Sequence, residues 1–273
     1  MKIGCHVSIA GGIQNAPQRA ADLGCEVFQI FSRSPRGGAA PAITAIVAKE
    51  FKEAMKKYNQ ENCCIHTPYY INFASANLVI RRAAAKICRE ELERGSLIGA
   101  KYIMTHLGSA KDMERGEAIE LVAEGVAEVL KGYKGSTKFL LEISAGTGNI
   151  IGDTFDELGY VLSKVGGIGI CVDTCHMFAT GYNIKSKEGF SDVMKKIKKF
   201  VGKEAVKLVH ANDSKTDLGA RRDRHEHIGD GKIGRPGFEN MMAEFSGLDF
   251  ILETEHDKVK EDIAALKQIR AQL

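Results

Sequence analysis

Eight histidines are spread along the 273-residue chain: His6, His66, His106, His176, His210, His225, His227 and His256. Each ends a short β-rich apolar run or falls in the segment just after one, and none falls within a stretch of helical periodicity. Carboxylates share the bias. Glu142 sits in the run Phe139–Ile143, Asp173 closes Ile168–Asp173 and Glu253 closes Phe250–Glu253. A carboxylate ending a buried strand costs several kcal/mol unless it meets a cation, so three such groups point to metal. For any one of them a helix N-cap or an arginine partner is the alternative. Asp173 and His176 lie three residues apart where a strand turns into a loop, close enough to serve one ion or two neighbouring ions. Asp223 and His225 alternate along a polar segment and project to one side of it if it is extended. Imidazole-rich sets favour zinc over magnesium, which prefers oxygen and water. Cys171 and Cys175 flank Asp173 without a Cys-x-x-Cys partner and read as core or loop thiols.

Eight repeats of one unit carry these residues. The strands are expected at Ile3–Val7, Val27–Phe31, Cys63–His66, Tyr102–His106, Phe139–Ile143, Ile168–Asp173, Val206–His210 and Phe250–Glu253. Helical patterning fills Ile13–Leu23, Ile43–Tyr58, Leu78–Ile98, Glu117–Leu130, Thr154–Lys164, Glu188–Val201, Phe238–Phe245 and Val259–Leu273. Strict alternation without a Ser/Pro-rich linker predicts an α/β fold, a (β/α)₈ TIM barrel forming a single domain over residues 1–273; an open doubly wound sheet is the lesser alternative. Such barrels work at the strands' carboxyl face, where the ligand-type residues collect.

Composition narrows the class. Hydrophobic residues make up 44% and charged ones 27%, which fits a globular protein, and no apolar run approaches the roughly 20 residues that span a bilayer. Met1 and Lys2 lead straight into the first strand, leaving no room for a signal peptide. An odd cysteine count, seven, with Cys63 and Cys64 adjacent, argues against a disulfide framework and for a reducing cytoplasm. The net charge of +3 does not decide on nucleic acid; a local patch would have to.

Six blocks in order resemble the endonuclease IV family of zinc-dependent apurinic/apyrimidinic endonucleases: His66-Thr-Pro-Tyr-Tyr-Ile-Asn-Phe-Ala-Ser, Glu142 followed by a residue and Ser-Ala-Gly-Thr-Gly, Val-Asp173-Thr-Cys-His176-Met-Phe-Ala-Thr-Gly-Tyr, His210-Ala-Asn-Asp-Ser-Lys, Asp223-Arg-His225-Glu-His-Ile-Gly-Asp-Gly-Lys-Ile-Gly, and Leu-Glu253-Thr. The resemblance spans nearly the whole chain and implies three zinc ions. His66 and His106 would hold the first, with Glu142 bridging it to the second. Asp173, His210 and Glu253 would complete the second, and His176, Asp223 and His225 would hold the third. The implied activity is hydrolysis of the phosphodiester 5′ to an abasic site by a metal-bridging hydroxide, leaving a 3′-hydroxyl and a 5′-deoxyribose phosphate. Clustered zincs would lower the pKa of a water and neutralise phosphate charge, so no side chain need be the nucleophile. Glu142 bridges ions and is the candidate catalytic residue.

Double-stranded DNA containing abasic sites is the implied partner, met by a monomer. Arg33, Arg36, Tyr69, Tyr70, Arg221, Arg222 and Arg224 interleave cations and planar groups after the ligand-bearing strands, which suits phosphates and the gap left by a displaced nucleotide. By resemblance, Arg36, Tyr69 and Tyr70 match the residues that enter the DNA at the lesion, and Asn212, Asp213 and Lys215 look like residues that orient ligands. The chain departs from the family pattern at Ser34-Pro35, Gly37-Gly38 and Ile143-Ser144, which bears on how the damaged strand is held. A metal-dependent sugar isomerase or epimerase on the same barrel class is the runner-up; it would need fewer metal ligands and no basic rim.

Overall fold

The computed structural model describes residues 1–111 and 113–273. Eight parallel strands close into a barrel: β1 (Ile3–His6), β2 (Val27–Ile30), β3 (Asn62–His66), β4 (Tyr102–Thr105), β5 (Lys138–Glu142), β6 (Ile168–Asp173), β7 (Val206–His210) and, beyond two short strands described below, β10 (Asp249–Leu252), which pairs back onto β1. Around them run α1 (Ala16–Asp22), α2 (Ala45–Lys57), α3 (Leu78–Ile98), α4 (Arg115–Leu130), α5 (Phe155–Lys164), α7 (Lys187–Phe200), α8 (Gly234–Glu244) and α9 (Val259–Ala271). The helices start where short polar side chains can accept a first-turn N–H. Thr44, Asn77, Thr154 and Ser186 cap α2, α3, α5 and α7 in this way. α3 stops at Gly99, whose φ of 82° suits a residue without a Cβ. No helix among the described residues is long and apolar enough to cross a membrane.

Side chains alternate between two separate cores, because successive residues of a strand face opposite ways. Outward residues such as Cys5, Phe28, Ile65, Ile103, Leu141, Val172, Val209 and Leu252 pack against the helices. Inward residues fill the barrel: Val27, Cys64, Tyr102, Met104, Leu140, Cys171, Leu208 and Ile251 form one closed cluster. Each of the larger aliphatic members adds roughly 1.5–3 kcal/mol by leaving water. On β1 the inward place is Gly4, where a Cβ would lie 1.6 Å from the Val27 carbonyl oxygen, so no other residue fits.

Two elements depart from the sequence expectation. α6 (Thr174–Ala179) follows β6 without a loop, so His176 lies on a helix rather than in a loop. The Asp173 carboxylate starts this helix by accepting the His176 N–H at 2.8 Å. At six residues it is too short to show a period. The other element is a two-stranded antiparallel sheet, β8 (Asp213–Ser214) with β9 (His225–Glu226), which brings the Asp223–His225 segment back over the barrel mouth.

Candidate metal centre

The alternation that builds the inner core also builds the site. Two residues beyond each inward core position, every strand presents a polar side chain at the carboxyl end: His6, Gln29, His66, His106, Glu142, Asp173, His210 and Glu253. Of these, His6, His66, His106 and Glu253 line a pocket of about 480 Å³ together with His176, Asp223 and His225, while Gln29, Glu142, Asp173 and His210 are wholly buried. The nine residues singled out as ligand candidates therefore converge on one place.

Overlapping groups whose ligand-type atoms lie within 4.8 Å of one another join them: His66, His106 and Glu142; Glu142, Asp173, His210 and Glu253; and Asp173, His176 and His225, with Asp223 grouped with His225 and Cys175. In the first, His66 Nε2 and His106 Nε2 stand 3.2 and 3.7 Å from Glu142 Oε2. In the second, His210 Nδ1 is 2.8 Å from Glu142 Oε1, 3.4 Å from Glu253 Oε2 and 4.0 Å from Asp173 Oδ2. In the third, His176 Nε2 and His225 Nε2 stand 3.3 and 3.1 Å from the two Asp223 oxygens, with Asp173 Oδ2 3.8 Å from His225. Glu142 and Asp173 thus each reach into two groups.

The proton positions test whether cations fit here. His66 Nδ1 donates to the Thr67 carbonyl at 2.6 Å and His176 Nδ1 to the Ile143 carbonyl at 2.9 Å. His210 Nε2 donates to Gln29 Oε1 at 2.8 Å. A neutral imidazole so tied on one nitrogen offers a lone pair on the other, and here that nitrogen faces carboxylate oxygen, which is also an acceptor. Buried Nε2 atoms of His176 and His225 make no hydrogen bond despite their nearness to Asp223. His66, His176 and His210, each held by a hydrogen bond on one nitrogen with the other turned to the carboxylates, have the arrangement of metal ligands, whereas the buried His106 Nδ1 has no such partner. The donor set suits zinc.

Without cations the cluster must hold protons. Burial opposes charge on His176, yet Asp173 and Asp223 raise its pKa to about 10. Burial likewise opposes charge on His225, which Asp223 and Asp173 raise to about 9. Burial would raise the Glu142 carboxyl, but His210 and His106 hold it well below the usual range. Burial pushes the Cys171 thiol, near Glu142 and His210, up to about 12, so in the metal-free pocket it stays protonated.

A supporting layer fixes the ligands. Asn212 donates to Asp173 Oδ2 at 2.6 Å and its side-chain oxygen accepts from Glu253 N at 2.8 Å. Asp213, wholly buried, accepts from the backbone N–H groups of Ser214, Gly229, Ile233 and Gly234, pinning the loop that follows His225. His227 and Thr254 share the carboxylate of Asp262 on α9, joining that loop to the one carrying Glu253. Gln29, a buried partner of His210 and Glu253, lies outside the residues that sequence reasoning selects. A signal for it exists: an amide within Val27-Phe28-Gln29-Ile30 is costly to bury without partners.

On the rim, Arg36 is exposed, Tyr69 is 69% exposed and Tyr70 39%. Tyr69 packs edge-on to Phe31 and its N–H reaches the Pro35 carbonyl at 3.2 Å, which couples the two loops. Two of the expected substrate-gripping arginines are otherwise engaged. Arg33 is buried and paired with Glu90 and Glu91 of α3. Arg221 binds Asp153 and the Gly146 carbonyl. Arg36, Arg222 and Arg224 remain as exposed cations at the mouth.

Residues 17–270 match the family model described as a xylose isomerase-like TIM barrel. The chain is 40% identical to the probable endonuclease 4 of Aquifex aeolicus, over 97% of this chain and 96% of that protein. The chain belongs to the endonuclease IV family. A crystal structure of endonuclease IV from Thermus thermophilus superposes with a TM-score of 0.87 at 31% identity, covering 99% of this chain and 98% of that one. A D-psicose 3-epimerase from Clostridium cellulolyticum shares the barrel at a TM-score of 0.72, with 17% identity over 99% of each chain. That likeness shows the fold alone.

Proposed function

We propose that this protein is a zinc-dependent apurinic/apyrimidinic endonuclease. Residues 1–273 would act as one catalytic domain, a cytoplasmic monomer, hydrolysing the phosphodiester 5′ to an abasic site in double-stranded DNA to leave a 3′-hydroxyl and a 5′-deoxyribose phosphate. The observation that carries this reading is the set of overlapping groups of imidazoles and carboxylates gathered at the barrel mouth, with His66, His176 and His210 each tied on one nitrogen and turned to the carboxylates by the other, in a chain of the endonuclease IV family. His66, His106 and Glu142 would hold one zinc, Glu142, Asp173, His210 and Glu253 a second, and His176, Asp223 and His225 a third. Bound zinc would supply Lewis acidity, making a water nucleophilic near neutral pH and offsetting charge on the phosphate and the departing oxygen.

The chain's own residues account for the rest. Glu142, with one oxygen toward each of two groups, spaces the first two seats and keeps their charge balanced. Asp223 sits half exposed at the pocket edge, so the third seat faces the solvent-side substrate. Exposed Tyr69 and Tyr70 supply planar surface against an unstacked nucleotide, and Arg36, Arg222 and Arg224 meet phosphates. With zinc activating a water, no side chain need act as the nucleophile.

Purified protein should nick a duplex bearing one tetrahydrofuran abasic analogue on its 5′ side without added magnesium. Because that analogue cannot undergo β-elimination, uncut oligonucleotide after incubation with zinc-replete protein contradicts the assignment. One or two zincs per chain together with sugar turnover would favour the isomerase reading instead.

A further inference from the structure

Gln29 is the one amide in the inward ring, wholly buried and paired in register with His6 of β1 and Cys64 of β3. Its side chain makes three hydrogen bonds: Nε2 donates to Glu253 Oε1 at 2.6 Å and to His6 Nδ1 at 3.1 Å, and Oε1 accepts from His210 Nε2 at 2.8 Å. The ionised carboxylate of Glu253 can only accept, which fixes the amide with its nitrogen toward Glu253. The amide oxygen must then face His210, and an amide oxygen also only accepts. His210 is therefore protonated on Nε2, and Nδ1, hydrogen-bonded to Glu142 and close to Glu253 and Asp173, is the nitrogen left to bind a cation in place of a proton.

We propose that Gln29 is a positioning residue of the second zinc seat: it dictates that His210 ligates through Nδ1, and by holding Glu253 Oε1 it turns Oε2 toward the same ion. The inference rests on the metal-centre reading above. Backbone carbonyls of Thr67 and Ile143 set the protons of His66 and His176; for His210 the side chain on a facing strand takes that part. The same amide takes the Nδ1 lone pair of His6, which makes Nε2 the proton-bearing nitrogen of a ring that lines the pocket. One buried amide thus orders three side chains, at the ends of β1, β7 and β10.

The test uses the full chain, wild type and Gln29→Met, which keeps length and removes all three hydrogen bonds. Zinc affinities are measured by competition with a chromophoric chelator, and histidine tautomers by long-range ¹H–¹⁵N NMR of the zinc-loaded protein. Wild type should bind three zincs, with His210 protonated on Nε2 and zinc-shifted on Nδ1. Gln29→Met should weaken one seat by about 10–100-fold, the usual effect of losing a hydrogen-bond partner of a ligand, and leave the other two unchanged. Three seats of wild-type affinity in the variant, or wild-type His210 protonated on Nδ1, overturns the role of Gln29 while leaving the metal centre standing. The NMR arm needs no variant to fold. Wild type that binds no zinc at all overturns the metal-centre reading itself.

Discussion

Loading the third seat with zinc should expel protons, and the affinity should rise steeply with pH. In the metal-free pocket His176 and His225 have pKa values raised to about 10 and about 9, so at pH 7 both rings are cations by roughly a thousandfold and a hundredfold. Each tenfold excess costs about 1.4 kcal/mol to reverse, so freeing both nitrogens at pH 7 costs on the order of 7 kcal/mol. Between pH 7 and 9 the apparent affinity of this seat should climb about a hundredfold per pH unit, then tenfold to pH 10, and level off beyond. The linked stability effect has the opposite sign in the metal-free protein. A histidine raised above its ordinary 6.5 stabilises the fold fully below that pH and loses the contribution as pH passes through 9 and 10. Metal-free protein should therefore lose thermal stability from pH 7 to 10 while zinc-loaded protein does not. Calorimetric zinc titrations in buffers of different ionisation enthalpy count the protons released, and about two are expected at pH 7. Release of fewer than one proton, or an affinity flat between pH 7 and 9, would refute the picture of imidazolium rings beside Asp173 and Asp223 that give up protons to a cation.

Other side chains make independent predictions. Glu142→Gln keeps the shape but removes the charge shared by two seats; nicking of the tetrahydrofuran duplex should fall about a thousandfold or more with duplex binding still measurable, and near-normal cutting removes Glu142 from the mechanism. Asp213→Ala strips the acceptor from four backbone N–H groups, a loss of about 3 kcal/mol or more. Hydrogen exchange in residues 225–234 should accelerate, and unchanged protection counts against Asp213 as the loop's anchor. Glu91→Gln leaves the buried Arg33 guanidinium without its carboxylate, and a drop of roughly 3–5 kcal/mol in unfolding free energy is expected; a loss under about 1 kcal/mol, the scale of an exposed pair, shows that Glu90 alone suffices. Tyr69→Ala should weaken binding to abasic duplex more than to intact duplex, whereas equal loss on both returns Tyr69 to a packing role.

The barrel and its ligand ring are legible in the sequence because both follow one rule, alternation along a strand. Leu140 and Glu142, Cys171 and Asp173, and Leu208 and His210 share a face in each strand, so a chemistry-bearing residue ending an apolar run has to point inward. Gln29 obeys the same alternation but carries no charge and no metal-ligand character, so the pattern that picks out its neighbours passes over it. α6 is hidden because its helix is started by the very carboxylate that reads as a strand end: Asp173 both caps and faces the cluster. The β8–β9 pair rests on two residues a side, below any periodicity. Arg33 and Arg221 differ from expectation for another reason. A guanidinium in a sequence does not reveal its partner, and Glu91 and Asp153, 58 and 68 residues away, claim these two.

Anomalous diffraction from zinc-soaked crystals at the zinc edge bears most directly on the central claim, that nine side chains spread from His66 to Glu253 form one three-cation centre. Three peaks are expected in the barrel mouth, at about 2.0–2.1 Å from the pocket-side nitrogens of His66, His210, His176 and His225. Empty density there, or zinc held at the cysteines instead, would contradict it.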